Sequence, residues 1–224
     1  MKATQQFRLL VMLVWLSGEL LAQATPGSAH VKKPALPGEP WEYNLTVDGY
    51  IVPDGTSYVD PVFTADRDWV HLEARYNYEN LRTGSMWMGY NFSRGDVESG
   101  DNWELDVTPI IGGVFGRTNG IAPGLEAALK YKKKIEASIT NEYVFDTASK
   151  SGNFYFAWPQ LTYSPVEWFQ VGAVAQHTVA YQTPANIQRG FLVGFSYTHW
   201  QFTTYVFNPG IAGTTVVLEA GVSF

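Results

Sequence analysis

Ionisable side chains recur at every second position in several otherwise apolar stretches of this chain. Segment 69–78 carries His71, Glu73 and Arg75, and segment 103–115 carries Glu104 and Asp106. Successive side chains of a strand point to opposite faces, so a spacing of two residues places these groups on one face. The same rule assigns to that face Asp48, Glu126, Lys130, Glu136, Glu142 and Glu219. A charged face of this kind can line a polar interior and can pair or pass ions.

The sequence lacks the residue patterns of a hydrolase or of a metal centre. His177 falls on the apolar parity of its stretch, whereas Ser196, the nearest serine on the next stretch, falls on the other parity. No G-x-S-x-G motif occurs, and the chain has no cysteine to supply a thiolate ligand. The acidic residues are spread over many stretches and are not clustered at a metal-ligand spacing. We therefore predict that the protein is not an enzyme and needs neither cofactor nor metal.

Alternation and turn residues divide the chain from Trp41 onward into about twelve strands. An even number places both chain ends on one side of a barrel. Ten strands is the alternative count. The second stretch is the doubtful strand, because Pro61 removes a ladder donor. The predicted strands are 42–52, 56–65, 69–78, 85–94, 103–115, 122–131, 135–145, 153–163, 168–179, 188–199, 202–208 and 215–224, with a turn at Trp200-Gln201.

The composition supports strands and excludes other classes. Hydrophobic residues make up 46% of the chain, yet the mean hydropathy is only −0.12, and after the first 24 residues no apolar run reaches the roughly 18 residues of a spanning helix. Dispersed apolar residues and 21 glycines are typical of a barrel whose lipid face takes every second residue. The net charge of −6 argues against nucleic acid, which requires a basic surface.

The last ten residues read TVVLEAGVSF, and from Val216 every second residue is apolar up to the terminal Phe224. This ending resembles that of bacterial outer-membrane β-barrel proteins, the porin-like class. The resemblance implies an all-β fold, a closed antiparallel transmembrane β-barrel in the outer membrane of a Gram-negative bacterium. It also implies outer-membrane lipid around the wall, and recognition of Phe224 by the barrel-assembly machinery during insertion.

The other end of the chain has the features of an export signal. Lys2 and Arg8 precede an apolar run, and Ala22-Gln23-Ala24 is a small-x-small cleavage site. We predict a signal peptide over 1–24. Residues 25–40 contain four prolines and are predicted to be a flexible periplasmic lead. The barrel is then 41–224.

Aromatic residues predict the two rims of the barrel, since tryptophan concentrates at membrane interfaces. Five tryptophans lie at or beside the starts of odd-numbered strands and are predicted interface anchors on the periplasmic side: Trp41, Trp69, Trp103, Trp168 and Trp200. The opposite rim is predicted to carry Tyr78, Phe115, Phe145, Tyr181 and Phe207. Its loops are short, so we expect none to fold inward as a large constriction.

In such a barrel the charged parity becomes the lumen. Turn centres predict that Lys130 lies opposite Glu136, and that Arg75 lies opposite Gly89 with Glu73 and Asp48 within reach. The lumen residues include eight acids but only Arg75 and Lys130 as bases. The predicted function is a small passive or weakly cation-selective pore for small solutes or ions. The alternatives are a closed barrel with a structural or partner-binding role and, third, an outer-membrane lipid hydrolase.

Overall fold

The structure is a computed structural model that describes residues 40–53, 55–180, 186–210 and 213–224. The predicted signal peptide and nearly all of the predicted lead lie outside the described residues. A short 3-10 helix covers Lys150–Gly152. Among the described residues no helix has the length and apolar character needed to cross a membrane.

The described chain is built from strands joined by short connections. They are β1 (Glu42–Ile51), β2 (Tyr58–Arg67), β3 (Val70–Tyr76), β4 (Thr83–Tyr90), β5 (Phe92–Gly95), β6 (Trp103–Gly116), β7 (Gly120–Tyr131), β8 (Ile135–Asp146), β9 (Phe154–Val166), β10 (Phe169–Ala180), β11 (Asn186–Tyr197), β12 (Trp200–Phe207) and β13 (Thr215–Ser223).

Every strand pairs antiparallel with its neighbours, and the sheet closes on itself. The last strand, β13, pairs with β1, from Asn44 opposite Ser223 to Ile51 opposite Val216. Both β4 and β5 pair with β6, one after the other. These two segments therefore cross the wall once, and the protein is a closed antiparallel barrel of twelve strands. The predicted fold class and the count of twelve are confirmed.

The second strand is complete despite its proline. Its pairing with β1 runs without a break through Pro61, which lies opposite Val47. Pairing with β3 begins only at Val62. Pro61 thus has a strand neighbour on one side, the edge-like position in which a missing N–H is tolerated.

Tight turns connect most of the strands at the rim where β1 begins and β13 ends, and a longer segment, 96–102, joins β5 to β6 there. Lys132 and Lys133 have φ of 50° and 56°, as the central residues of a type I′ hairpin turn do. The predicted turn at Lys132 to Lys134 is confirmed. The predicted turn at Trp200-Gln201 is wrong by two residues: Thr198 has φ of 53°, and Trp200 already opens β12.

The two faces of the wall differ in the way a membrane barrel requires. On β4, Met86 and Met88 are 66% and 61% exposed, whereas Trp87 between them is 3% exposed. Large exposed apolar side chains recur on nearly every strand, at the alternate positions to the buried ones. A water-soluble surface does not carry such a continuous apolar belt, so the outer face is suited to lipid. The buried side chains fill the lumen.

Candidate functional site in the barrel lumen

Arg75 is the centre of a buried cluster of charges. Its Nη2 atom donates to Glu73 Oε2 at 2.7 Å, and its Nη1 atom donates to Glu142 Oε2 at 2.8 Å. Glu126 Oε1 lies 3.5 Å from Nη2. Arg75 is on β3 and Glu142 on β8, with β4, β6 and β7 between them around the wall. The guanidinium group therefore bridges across the lumen instead of lying along the wall.

The loop 77–82, between β3 and β4, folds into the lumen. The guanidinium carbon of Arg75 lies 4.0 Å from the centre of the Tyr78 ring and 4.4 Å from that of Trp87, close enough for cation–π attraction. Tyr78 also meets the edge of Phe156 on β9, at 6.4 Å between ring centres. The carboxylate of Glu79 lies 3.9 Å from Arg75. Both loop side chains are almost completely buried.

This loop corrects two predictions. Tyr78 was predicted to belong to an outer aromatic rim, and the short loops were predicted not to fold inward as a large constriction, yet this short loop enters the lumen and narrows it with two buried side chains. The turn is made inward because Asn77 and Arg82 both take positive φ, 65° and 60°. The Arg82 backbone N–H donates to Asn77 Oδ1 at 2.8 Å and closes the loop. Six residues are enough to place one ring and one carboxylate inside.

The inward loop also changes the strand register. Arg75 pairs opposite Ser85, and His71 lies opposite Gly89. The predicted pairing of Arg75 with Gly89 is therefore wrong. That prediction centred the turn on Arg82, whereas the observed pairs are centred on Asn80. The shift is an even number of residues, so the same side chains still face the lumen.

A chain of hydrogen bonds orients His71. Its Nδ1 atom lies 2.8 Å from Asp66 Oδ1, and that same oxygen accepts a bond from Asn91 Nδ2 at 2.9 Å. Thr108 in turn donates to Asn91 Oδ1 at 2.7 Å. The second ring nitrogen, Nε2, lies 3.6 Å from Glu73 Oε2 and has no hydrogen-bond partner.

A second ion-pair cluster lies nearer to the rim where β1 begins and β13 ends. The Nζ atom of Lys130 is 3.0 Å from Glu104 Oε1 and 3.7 Å from Asp106 Oδ2. The predicted register of Lys130 opposite Glu136 is confirmed. The ion pair nevertheless forms with Glu104, which lies opposite Lys130 on the other neighbouring strand, β6.

Two fully buried acids lie apart from these cations. Asp48 lies opposite Glu219 on one side and Asp60 on the other. Asp48 and Asp60 are both 0% exposed, and none of their carboxylate oxygens has a hydrogen-bond partner. Glu219 accepts a hydrogen bond from the Tyr205 hydroxyl at 3.1 Å. Among the described residues, no basic side chain forms an ion pair with Asp48, although it was predicted to lie within reach of Arg75.

The lumen faces of β9 to β12 carry mostly apolar side chains, with the uncharged polar residues Gln176, Thr178 and Thr203 among them. Trp158 packs edge-on against Tyr205 and Phe207, at 5.5 and 5.1 Å between ring centres. Phe156 and Leu192 are buried in the same core. Among the described residues these four strands contribute no buried Asp, Glu, Lys or Arg. The prediction that Phe207 lies on the outer rim is wrong, and the lumen is polar over only part of its circumference.

Comparisons with known proteins identify the fold. No protein-family model matches the chain, and no curated protein matches it by sequence. In structure it is similar to a "KdgM porin", with a TM-score of 0.56 and 11% identity over 81% of this chain and 99% of that one. The chain therefore shares the closed antiparallel, porin-like β-barrel fold. The same porin in complex with disordered oligogalacturonate matches with a TM-score of 0.52 and 10% identity, over 81% of this chain and 98% of that one.

The porin-like barrel places most of the predicted lumen residues inside. Lys130 and Glu136 are half-buried. The buried ones are Asp48, His71, Glu73, Arg75, Glu104, Asp106, Glu126, Glu142 and Glu219. Sequence reasoning missed the acids Asp60, Asp66 and Glu79. The first two lie on the lumen parity of β2, a signal that the doubt over Pro61 obscured, and Glu79 was assigned to a turn.

The predicted rim and assembly residues lie at one end of the porin-like barrel. Four tryptophans there are exposed, and Trp41 is half-buried. The exposed ones lie at strand starts or in the adjoining turns: Trp69, Trp103, Trp168 and Trp200. The ring of Phe224 stacks on Tyr43 at 5.8 Å between centres. Their roles as interface anchors and assembly signal stay predictions.

His177 and Ser196 lie far apart along the porin-like barrel. His177 pairs opposite Ile187 near one rim, whereas the Ser196 backbone N–H donates to the Trp168 carbonyl near the other. This pair therefore does not form a nucleophile and base.

Proposed function

We propose that the protein is a narrow, cation-preferring pore for small solutes or ions in the outer membrane of a Gram-negative bacterium. The observation that carries this proposal is the charge of the lumen. Among the described residues, ten buried carboxylates face one buried arginine and one buried histidine. Carboxylates in a narrow, low-dielectric passage attract cations and repel anions.

The filling of the lumen predicts a low conductance. Barrels of about eight strands are filled by side chains, and barrels of about sixteen hold a water channel. In a barrel of twelve strands, the size of the inward-facing side chains therefore decides whether the lumen is open. Arg75, Tyr78 and Glu142 bridge the lumen and are almost inaccessible to solvent. Conduction is therefore expected to depend on movement of the loop 77–82 and of the Arg75 bridge.

Selectivity in planar lipid bilayers is the first test. Under a salt gradient, the reversal potential of the unmodified protein should show a preference for cations. Glu73→Gln and Glu142→Gln should each reduce that preference, because they remove charge with little change of shape. Leu72→Ala, on the exposed outer face of the same strand as Glu73, is the control and should change nothing. A preference for anions would refute the proposal.

The loop provides a second test. Tyr78→Ala removes the ring that connects Arg75 to Phe156 and should raise single-channel conductance. Tyr76→Ala is the matched control, since Tyr76 is an exposed tyrosine two residues away. Equal conductance in the two variants would show that the loop is not part of the barrier.

A closed barrel with a structural or partner-binding role is the second candidate. The packed apolar core around Trp158 favours it, because such a core stabilises the barrel but offers no polar path for ions. A complete lack of conductance in the unmodified protein and in Tyr78→Ala would support this candidate over the pore.

A further inference from the structure

We propose that His71, Glu73 and Glu126 form a binding site for a divalent transition metal, with Zn²⁺ as the reference ion. One donor atom from each residue lies within 4.8 Å of the others, and all three side chains are buried. The closest histidine–carboxylate approach is 3.6 Å, from His71 Nε2 to Glu73 Oε2. With zinc–ligand distances of about 2.0–2.1 Å, two ligands of a tetrahedral site lie about 3.4 Å apart. This pair is therefore close to the spacing that zinc requires, and the three donor atoms together lie within 4.8 Å of one another.

The surroundings of His71 are those of a metal ligand. Asp66 occupies Nδ1 at 2.8 Å, which leaves Nε2 directed toward the two glutamates. Ligating histidines commonly pair their other ring nitrogen with a carboxylate in this way, which sets the tautomer and the ring orientation. Nε2 is buried and without a hydrogen-bond partner, whereas buried polar atoms are nearly always paired. A metal ion would complete its bonding.

The charge of the cluster also calls for a cation. Four carboxyl groups contact Arg75, those of Glu73, Glu79, Glu126 and Glu142, and a fifth, that of Asp66, pairs with His71. With all five ionised and His71 neutral, the cluster carries a net charge of −4. Buried charges without compensation are strongly unfavourable. A divalent ion would halve this excess. One imidazole and two carboxylates suit zinc and neighbouring transition metals, whereas calcium and magnesium prefer oxygen ligands alone.

Arg75 and a metal can share the two glutamates. Arg75 contacts Glu73 through Oε2 and Glu126 through Oε1. Glu73 Oε2 is also the oxygen that lies 3.6 Å from His71 Nε2, so a metal would either share this oxygen with Arg75 or bind the second oxygen of Glu73. The rival state contains no metal. In it, a protonated His71 bridges Asp66 and Glu73 with the same ring position, so the experiment must separate a bound ion from a bound proton.

Cobalt absorption is the direct test. Full-length protein, folded in detergent and freed of metal with a chelator, is titrated with Co²⁺, whose visible absorption reports coordination by protein ligands. We expect saturation at one equivalent and loss of the signal when Zn²⁺ is added. His71→Ala should abolish the signal, and Asp66→Asn should weaken affinity about 10–100-fold, as loss of an outer-shell partner does.

Two controls keep the test decisive. His177→Ala removes a histidine outside the cluster and should leave the cobalt signal unchanged. Heat-dependent gel migration checks that each variant is folded, and Glu126→Gln provides a second ligand variant that keeps the side-chain shape. Cobalt binding that is unchanged in His71→Ala and Glu126→Gln, or no saturable binding in the unmodified protein, would overturn the proposal.

Nitrogen NMR of the His71 ring separates the rival state. A neutral ring whose Nε2 resonance shifts when Zn²⁺ is added supports the metal site. A ring that stays doubly protonated in the presence of Zn²⁺ overturns it. Neither measurement depends on conductance, so the metal site and the pore stand or fall separately.

Discussion

The lumen has a charged part and an apolar part, and different interactions hold the side chains of each part in place. Around Arg75, charge-assisted hydrogen bonds of 2.7 and 2.8 Å cross from β3 to β8. Around Trp158, aromatic rings meet edge-on at 5.1 and 5.5 Å. Burial of apolar area stabilises the second region directly. In the first, desolvation of the ions offsets much of their attraction.

Trp87 forms the boundary between the two regions. Its indole N–H donates to Ser85 Oγ at 2.9 Å, and its ring covers the guanidinium group of Arg75. The same ring belongs to the apolar core. The apolar region therefore adds stability to the hydrogen-bonded wall, whereas the charged region is retained at a cost in stability, which makes it the better candidate for a functional role.

Loss of Arg75 should have the largest effect. Arg75→Ala leaves four glutamates buried without their cation, and breaking a buried ion pair in this way costs about 3–5 kcal/mol of unfolding free energy. Urea unfolding in lipid vesicles, followed by tryptophan fluorescence, measures it. Arg67→Ala, an exposed arginine at the end of β2, is the control. Similar stability of the two variants would mean that the cluster is not held by its arginine.

A cavity in the apolar region should have the second-largest effect on stability. Leu192 is almost completely buried, and Leu192→Ala should lower the free energy of unfolding by about 2–5 kcal/mol. The cation preference should stay unchanged, because no lumen charge is altered. Leu161→Ala, on the exposed face of β9, should cost less. A changed reversal potential in Leu192→Ala would show that the two regions are coupled.

The boundary itself can be disturbed by a single methyl group. A Cβ atom at Gly112 would lie 2.3 Å from the Trp87 ring, whereas one at Gly113 would meet nothing within 4 Å. Gly112→Ala should therefore cost about 1–3 kcal/mol through overpacking, and Gly113→Ala should cost much less. Denaturant midpoints of this adjacent pair measure the difference. Equal midpoints would mean that Trp87 has room to move.

The smallest effect is expected at the rim of the charged region. Lys130 bonds to Glu104 at 3.0 Å, but its side chain is 28% exposed. Lys130→Met should cost at most about 1 kcal/mol, as partly solvated ion pairs do. Its effect on stability should also decline with added salt, whereas that of Arg75→Ala should not. If Lys130→Met lost as much free energy of unfolding as Arg75→Ala, the ion pair near the rim would not be weaker than the central one.

Local patterns were sufficient to predict the wall of the barrel. The number of strands, and the prediction that residues such as Glu73 and Glu142 face inward, depend on a two-residue alternation that is visible within each short strand. The register of Lys130 opposite Glu136 was predictable for the same reason, because a tight turn relates residues a few positions apart. The centres of longer connections were not predictable in this way, as the shifted partner of Arg75 shows.

The sequence by itself therefore determined a twelve-stranded barrel with an apolar outer face and with acidic residues along part of its lumen. Only the tertiary structure decided how that inside is filled. Arg75 and Glu142 are 67 residues apart in the chain, and they meet because closure brings β3 and β8 to face each other across the lumen. Tyr78 joins them because its loop folds inward at the positive φ of Asn77 and Arg82, and barrel closure sets the distances between strands that no local pattern encodes.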